Sequence, residues 1–274
     1  DPECAMAYWG LYRSTEDDKR AAAFLREASK RKDKVSERER MYIEAWEART
    51  TALRALVSTP EMLEAQKPFL RKLEQIMLKY PDDHEAKALY ALANLFSYAT
   101  GSESAGNRYG NELVLQEVLR NQPDHPGAHH YRIHNWDGPD AVAALDSLAA
   151  YPRIVPSIAH APHMAGHGYS AAGMWHEAAI HQQISLRVGR RYMRQRMIFP
   201  FSHWGYKHDV NYLCNSLEQL GMVEAAIMEA RVLLAAPLDP KYNRHDPASP
   251  LMGGVFDVAL ATLMTIGASR VVLA

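Results

Sequence analysis

Eleven of the 13 histidines fall between His125 and His208, where even spreading would put about four. Their spacing says more than their number. His130, His134 and Asp137 stand at i, i+4 and i+7, one stripe of a helix that ends at Gly138-Pro139. His160, His163 and His167 stand at i, i+3 and i+7 on another, with Pro162 near its start. Packed helix axes lie about 8–10 Å apart, so two imidazoles from each can meet at one ion with metal–nitrogen distances of about 2.0–2.1 Å. His130, His134, His163 and His167 are therefore the first-choice ligands. His160 and Asp137 are further ligands, or in the case of Asp137 the acceptor that fixes a histidine tautomer. Imidazoles with at most one carboxylate and no thiolate suit a transition metal such as zinc, copper, iron or nickel, and disfavour calcium and magnesium. So many donors leave room for two ions. Buried without metal, the same groups would each need hydrogen-bond partners, and His84, His125, His129, His176, His181 and His245 are read in that ordinary way.

These stripes need helices to hold them, and helical periodicity runs nearly everywhere, with almost no alternating strand-like pattern. Leu63, Phe69, Leu70, Leu73, Ile76, Met77 and Tyr80 form an apolar stripe, after Thr59 as N-cap and Pro60 at the first helical position. Ser36 with Glu39 makes a capping box. Further helices are expected over 15–31, 83–99, 109–121, 125–137, 139–150, 160–172, 174–190, 206–220, 222–235 and 250–267. Repeats decide the architecture. Pro123 and Pro156 lie 33 residues apart, and the segments after them align without a gap, His130 on His163 and His134 on His167. That is close to the tetratricopeptide (TPR) period. Gly173-Met174 before Glu177-Ala178-Ala179-Ile180 is echoed by Gly221-Met222 before Glu224-Ala225-Ala226-Ile227. The expectation is an all-α, TPR-like α-solenoid, a superhelix of antiparallel helix hairpins. No linker divides residues 1–274, which read as one domain cut at one or both ends.

The run His125-Pro126-Gly127-Ala128-His129-His130-Tyr131-Arg132-Ile133-His134, then His160-Ala161-Pro162-His163-Met164 and His167, resembles a family of bacterial TPR proteins with the pattern HPGAxHYxIHxxE, HxxHMPSHI and a later YxHN. The opening Asp1-Pro2-Glu3-Cys4-Ala5-Met6-Ala7-Tyr8-Trp9-Gly10 resembles that family's DPxCAMAYWG segment. The resemblance implies the repeat fold and adds His208, in Tyr206-Lys207-His208-Asp209, to the site. Asp137 stands where the family has Glu, Ala165-Gly166 where it has Pro-Ser, and Asp209 where it has Asn. The resemblance names no reaction.

Arg187, Arg190, Arg191, Arg194 and Arg196 crowd one stretch around Tyr192. They are either a solvated helix end complementing the C-terminal dipole or a clamp for an anionic substrate. In the second case Arg187 and Arg191, with Tyr206 and Trp136, contact the substrate. His176-Glu177 with His181 is no metalloprotease motif, because a spacing of five turns the histidines off a common face. There is no P-loop, GxGxxG or GxSxG. The aromatics Trp136, Trp175, Phe199, Phe201, Trp204, Tyr206 and Tyr212 read as repeat core, with one or two walling a pocket.

With 31 basic and 32 acidic residues, a net charge of -1 gives no overall attraction to nucleic acid. The longest apolar stretch, Val255 to Ala268, is interrupted by Asp257 and too short to span a membrane. Cys4 and Cys214 match no disulfide or zinc pattern. Compartment and oligomeric state stay open. The expected function is a metal-dependent enzyme acting on a small molecule in the concave groove. The alternatives are a TPR scaffold binding a peptide or protein there, and metal storage or delivery.

Overall fold

Several turns between the described helices have a local cause that can be read residue by residue. The computed structural model describes residues 1–15, 17–49, 60–98, 105–138 and 140–237, and these form α-helices, short 3-10 turns and no strand. The helices are α1 (Ala5–Ser14), α2 (Asp18–Ser29), α3 (Glu37–Ala48), α4 (Pro60–Lys79), α5 (His84–Tyr98), α6 (Ala105–Asn121), α7 (Pro126–Trp136), α8 (Leu145–Ile154), α9 (His160–Ala171), α10 (Trp175–Arg196), α11 (Trp204–Gln219) and α12 (Val223–Leu234). Consecutive helices joined by short turns pack side by side as antiparallel hairpins, so the fold is all-α and TPR-like. Thr59, the helix expected over 250–267, the apolar stretch Val255–Ala268 and His245 lie outside the described residues. No helix among the described residues is long and apolar enough to cross a membrane.

Two differences from the expected elements have physical reasons. Ala5–Ser14 is a helix that begins without a side-chain cap at Cys4, so the usual start signal is missing. The helix expected over 139–150 is instead a 3-10 turn over Ala141–Ala144 followed by α8, reaching Ile154. Tertiary burial of Leu148 and Tyr151 carries that helix past the point where a proline, Pro152, suggests its end.

The chain divides into two compact units, Asp1–Tyr131 and the residues from Arg132 onward, and the division falls inside α7. In the first unit Trp46 is the centre of the core, edge-on to Trp9 at 5.2 Å and to Phe69 at 4.9 Å, with Leu73, Ile76 and Leu89 around it. The DPxCAMAYWG-like segment thus supplies a core helix. The capping box at Ser36–Glu39 is formed at the start of α3. Asp83 accepts from the Ala86 N–H at the start of α5 and from the Tyr42 hydroxyl at 2.7 Å, tying α5 to α3.

In the second unit the two Gly-Met echoes are the same helix stop. Gly173 (φ 73°) and Gly221 (φ 70°) take the left-handed conformation. Met174 N–H then reaches Tyr169 O (2.9 Å) and Met222 N–H reaches Leu217 O (2.8 Å), closing Schellman turns between α9 and α10 and between α11 and α12. α9 lies against α8, α10 and α11. It comes close because it carries glycines at the contacts. A Cβ on Gly166 would lie 2.6 Å from Gln182 Nε2 of α10, and one on Gly168 would overlap Leu148 of α8.

Candidate metal centre

α9 and α11 build the centre. His163 and His167 stand one turn apart on α9, and His208 comes from α11; one ring nitrogen from each lies within 4.8 Å of the others. His163 is buried, and His167 and His208 are partly exposed, so the cluster has a dry floor and an open side. Gln182 Nε2 donates to the His163 carbonyl (3.3 Å), holding α9 on α10 at this level.

Carboxylates stand behind two of the rings. His167 Nδ1 donates to Asp137 Oδ1 at 3.0 Å. His163 Nδ1 lies 2.7 Å from Asp209 Oδ1, with its N–H off the straight line to the oxygen. Asp209 is itself buried and accepts from the Ser185 hydroxyl at 2.5 Å. Because a carboxylate only accepts, the Asp137 hydrogen bond puts the His167 proton on Nδ1 and leaves its Nε2 lone pair facing the cluster, and the close approach of Asp209 favours the same tautomer at His163. At His167 that lone pair accepts from the Tyr212 hydroxyl at 2.5 Å.

The surroundings disfavour the charged form of His208, His160 and His134. Burial, helped by neighbouring His163, pushes His208 down to about 4. Burial, then His163 and His134, pushes His160 down to about 4. Burial within the cluster also lowers His134, against the opposing pull of Asp137, although the residue as a whole is exposed. Neutral imidazoles are the form that binds metal.

Asp137, at the end of α7, is placed by that helix's second half. Ile133 is buried in the second unit's core, and Arg132 donates to Asp146, Ser147 Oγ (3.1 Å) and Ala143 O (2.6 Å). His134 and His160 are near enough to each other for His134 to depress His160. His130 belongs to the first unit and precedes His134 by one turn of α7.

Other histidines have structural roles. His125 Nδ1 accepts from Ala128 N–H at the start of α7, His129 Nε2 pairs with Pro123 O at 2.8 Å, and His203 Nδ1 caps α11 at Tyr206 N–H. His181 packs on Tyr169, while His176 points to solvent. Arg187 and Arg191 are exposed on α10 and Trp136 is buried. Tyr206 is buried and lines a cleft of about 470 Å³ with Arg190, Met193, Arg194 and Phe199. Of the arginine run, then, it is Arg190 and Arg194 that face a cleft, and Arg190 also reaches Glu229. The sequence names His208, reads Tyr212 only as repeat core or pocket wall, and gives no role to Asp209 or Ser185. The signal for Tyr212 was its spacing, four residues after His208, which repeats that of His163 and His167.

No family model matches the chain, and no curated protein does. Among solved structures it is similar to TTC0263, a thermophilic TPR protein of Thermus thermophilus, with 13% identity, 80% of this chain and 99% of that one covered, and a TM-score of 0.48. It is also similar to human IFIT1, solved as a dimer with m7Gppp-AAAA, at 13% identity and a TM-score of 0.46, covering 96% of this chain and 58% of that one.

Proposed function

We propose that this TPR-like chain binds a transition-metal ion through His163, His167 and His208 and uses it on a small-molecule substrate. One observation carries the reading: three imidazoles each bring a ring nitrogen within 4.8 Å of the others, and two of them have a carboxylate beside Nδ1. That is the arrangement by which proteins orient histidine ligands. The bacterial TPR family resemblance adds support, because Asp137, the His163/His167 pair and His208 fall in its three motifs. When bound, the ion supplies Lewis-acid or redox chemistry at a position that the three imidazoles leave open. The chain's own part is to keep His208 neutral by burial, to favour the Nδ1 proton on His167 and His163 through Asp137 and Asp209, and to exclude water beneath buried His163. His134 and His160 add two imidazoles within the same unit, where a second ion is part of the same proposal.

The test is elemental analysis by mass spectrometry of untagged protein, as purified and after incubation with zinc, copper and iron salts. The expected result is at least one ion per chain, lost in His163→Ala/His208→Ala while the far-ultraviolet circular dichroism is kept. A wild-type chain that takes up none of the three metals overturns the reading and leaves a peptide-binding scaffold as the better account. Metal uptake without turnover across small-molecule substrate panels favours storage or delivery.

A further inference from the structure

Tyr212 stands where a fourth donor atom belongs. It lies on α11 one turn after His208, as His167 lies one turn after His163 on α9. Its ring packs against all three histidine rings, with centroids 5.6 Å from His163, 4.4 Å from His167 and 4.9 Å from His208. The hydroxyl is therefore over the cluster, 2.5 Å from His167 Nε2. We infer that Tyr212 supplies an oxygen ligand to the metal ion, so that the centre is built from two i, i+4 pairs on adjacent helices, His163/His167 and His208/Tyr212.

The distances make this a small step. An ion about 2.0–2.1 Å from each donor in a tetrahedral site sets neighbouring donors about 3.3 Å apart. The hydroxyl needs to retreat by less than about 1 Å from His167 to reach that separation, well within the freedom of a half-buried tyrosine side chain. Staying in place is not an option with an ion bound, because the hydroxyl proton now occupies the His167 Nε2 lone pair that the ion must take; on ligation that proton passes to solvent and the oxygen binds as phenolate. A swing right out of the site is opposed by the three rings packed around it. The set is then three nitrogens and one oxygen, and a substrate reaches the ion by adding as a fifth donor or by displacing Tyr212.

This inference rests on the metal reading above, and its test separates the two. Untagged wild type and Tyr212→Phe, both stripped of metal and shown by melting to be folded, are titrated with zinc by competition against a chelator and with copper(II) by visible absorption. Wild type is expected to show a visible oxygen-to-copper charge-transfer band. Tyr212→Phe should lose the band and bind zinc at least about tenfold more weakly. Equal or tighter zinc binding by Tyr212→Phe with an unchanged copper spectrum overturns Tyr212 as a ligand while leaving the three-histidine site standing. If the wild type itself binds neither ion, the metal reading has failed and this inference fails with it.

Discussion

An imidazole has two nitrogens and can offer a metal only the one that carries no proton, so the partners behind a histidine matter as much as the ring. In this chain Asp137 and Asp209 are those partners for His167 and His163. Asp137→Ala and Asp209→Ala are each expected to weaken metal binding by about 10–100-fold although all three imidazoles remain, measured by competition with a chromophoric chelator. An affinity within twofold of wild type would show that the carboxylates do not orient the rings. A different residue-scale outcome concerns the thiols. Burial pushes Cys214 up to about 12, while Cys4 is partly exposed. At pH 8 Cys214 is thus protonated, and only a thiolate reacts readily. Native protein should take up one equivalent of a thiol reagent and two in denaturant; two fast equivalents in the native state would contradict the burial of Cys214.

At the scale of elements, the centre depends on how close α9 can come to its neighbours. Gly168 faces Leu148, which is fully buried. Gly168→Ala is expected to cost about 1–3 kcal/mol through overpacking, read from urea unfolding followed by circular dichroism. A cost near zero would mean that α8 and α9 pack more loosely than described. The hairpin turns follow a different logic. Gly173 and Gly221 end α9 and α11 in the same way because both need a left-handed residue there. This made the repeat readable without coordinates. The helix over Ala5–Ser14 was not readable, since a start with no side-chain cap leaves no local mark and its formation depends on Trp9 packing against Trp46.

For the whole molecule, a ligand that binds only the folded state raises stability by mass action. Zinc at about 100 times its dissociation constant would contribute about 2.7 kcal/mol, and since an ion held as proposed would link α9 to α11, that gain should appear as a higher melting temperature for the unit beginning at Arg132. Calorimetry should show this rise, its reversal by a chelator and its absence in His163→Ala/His208→Ala. An increase that survives in the double variant would place the metal elsewhere. The residues alone determined that the chain is helical, where several helices start and stop, and that His163 and His167 share a face, because caps, left-handed glycines and helical periodicity all act within a few positions. Only the tertiary structure decided that the α9 pair meets His208 and Tyr212, and that Asp209 stands behind His163. Those partners lie 41 to 49 residues away along the chain, and their meeting depends on how α9 and α11 pack, which no local pattern states.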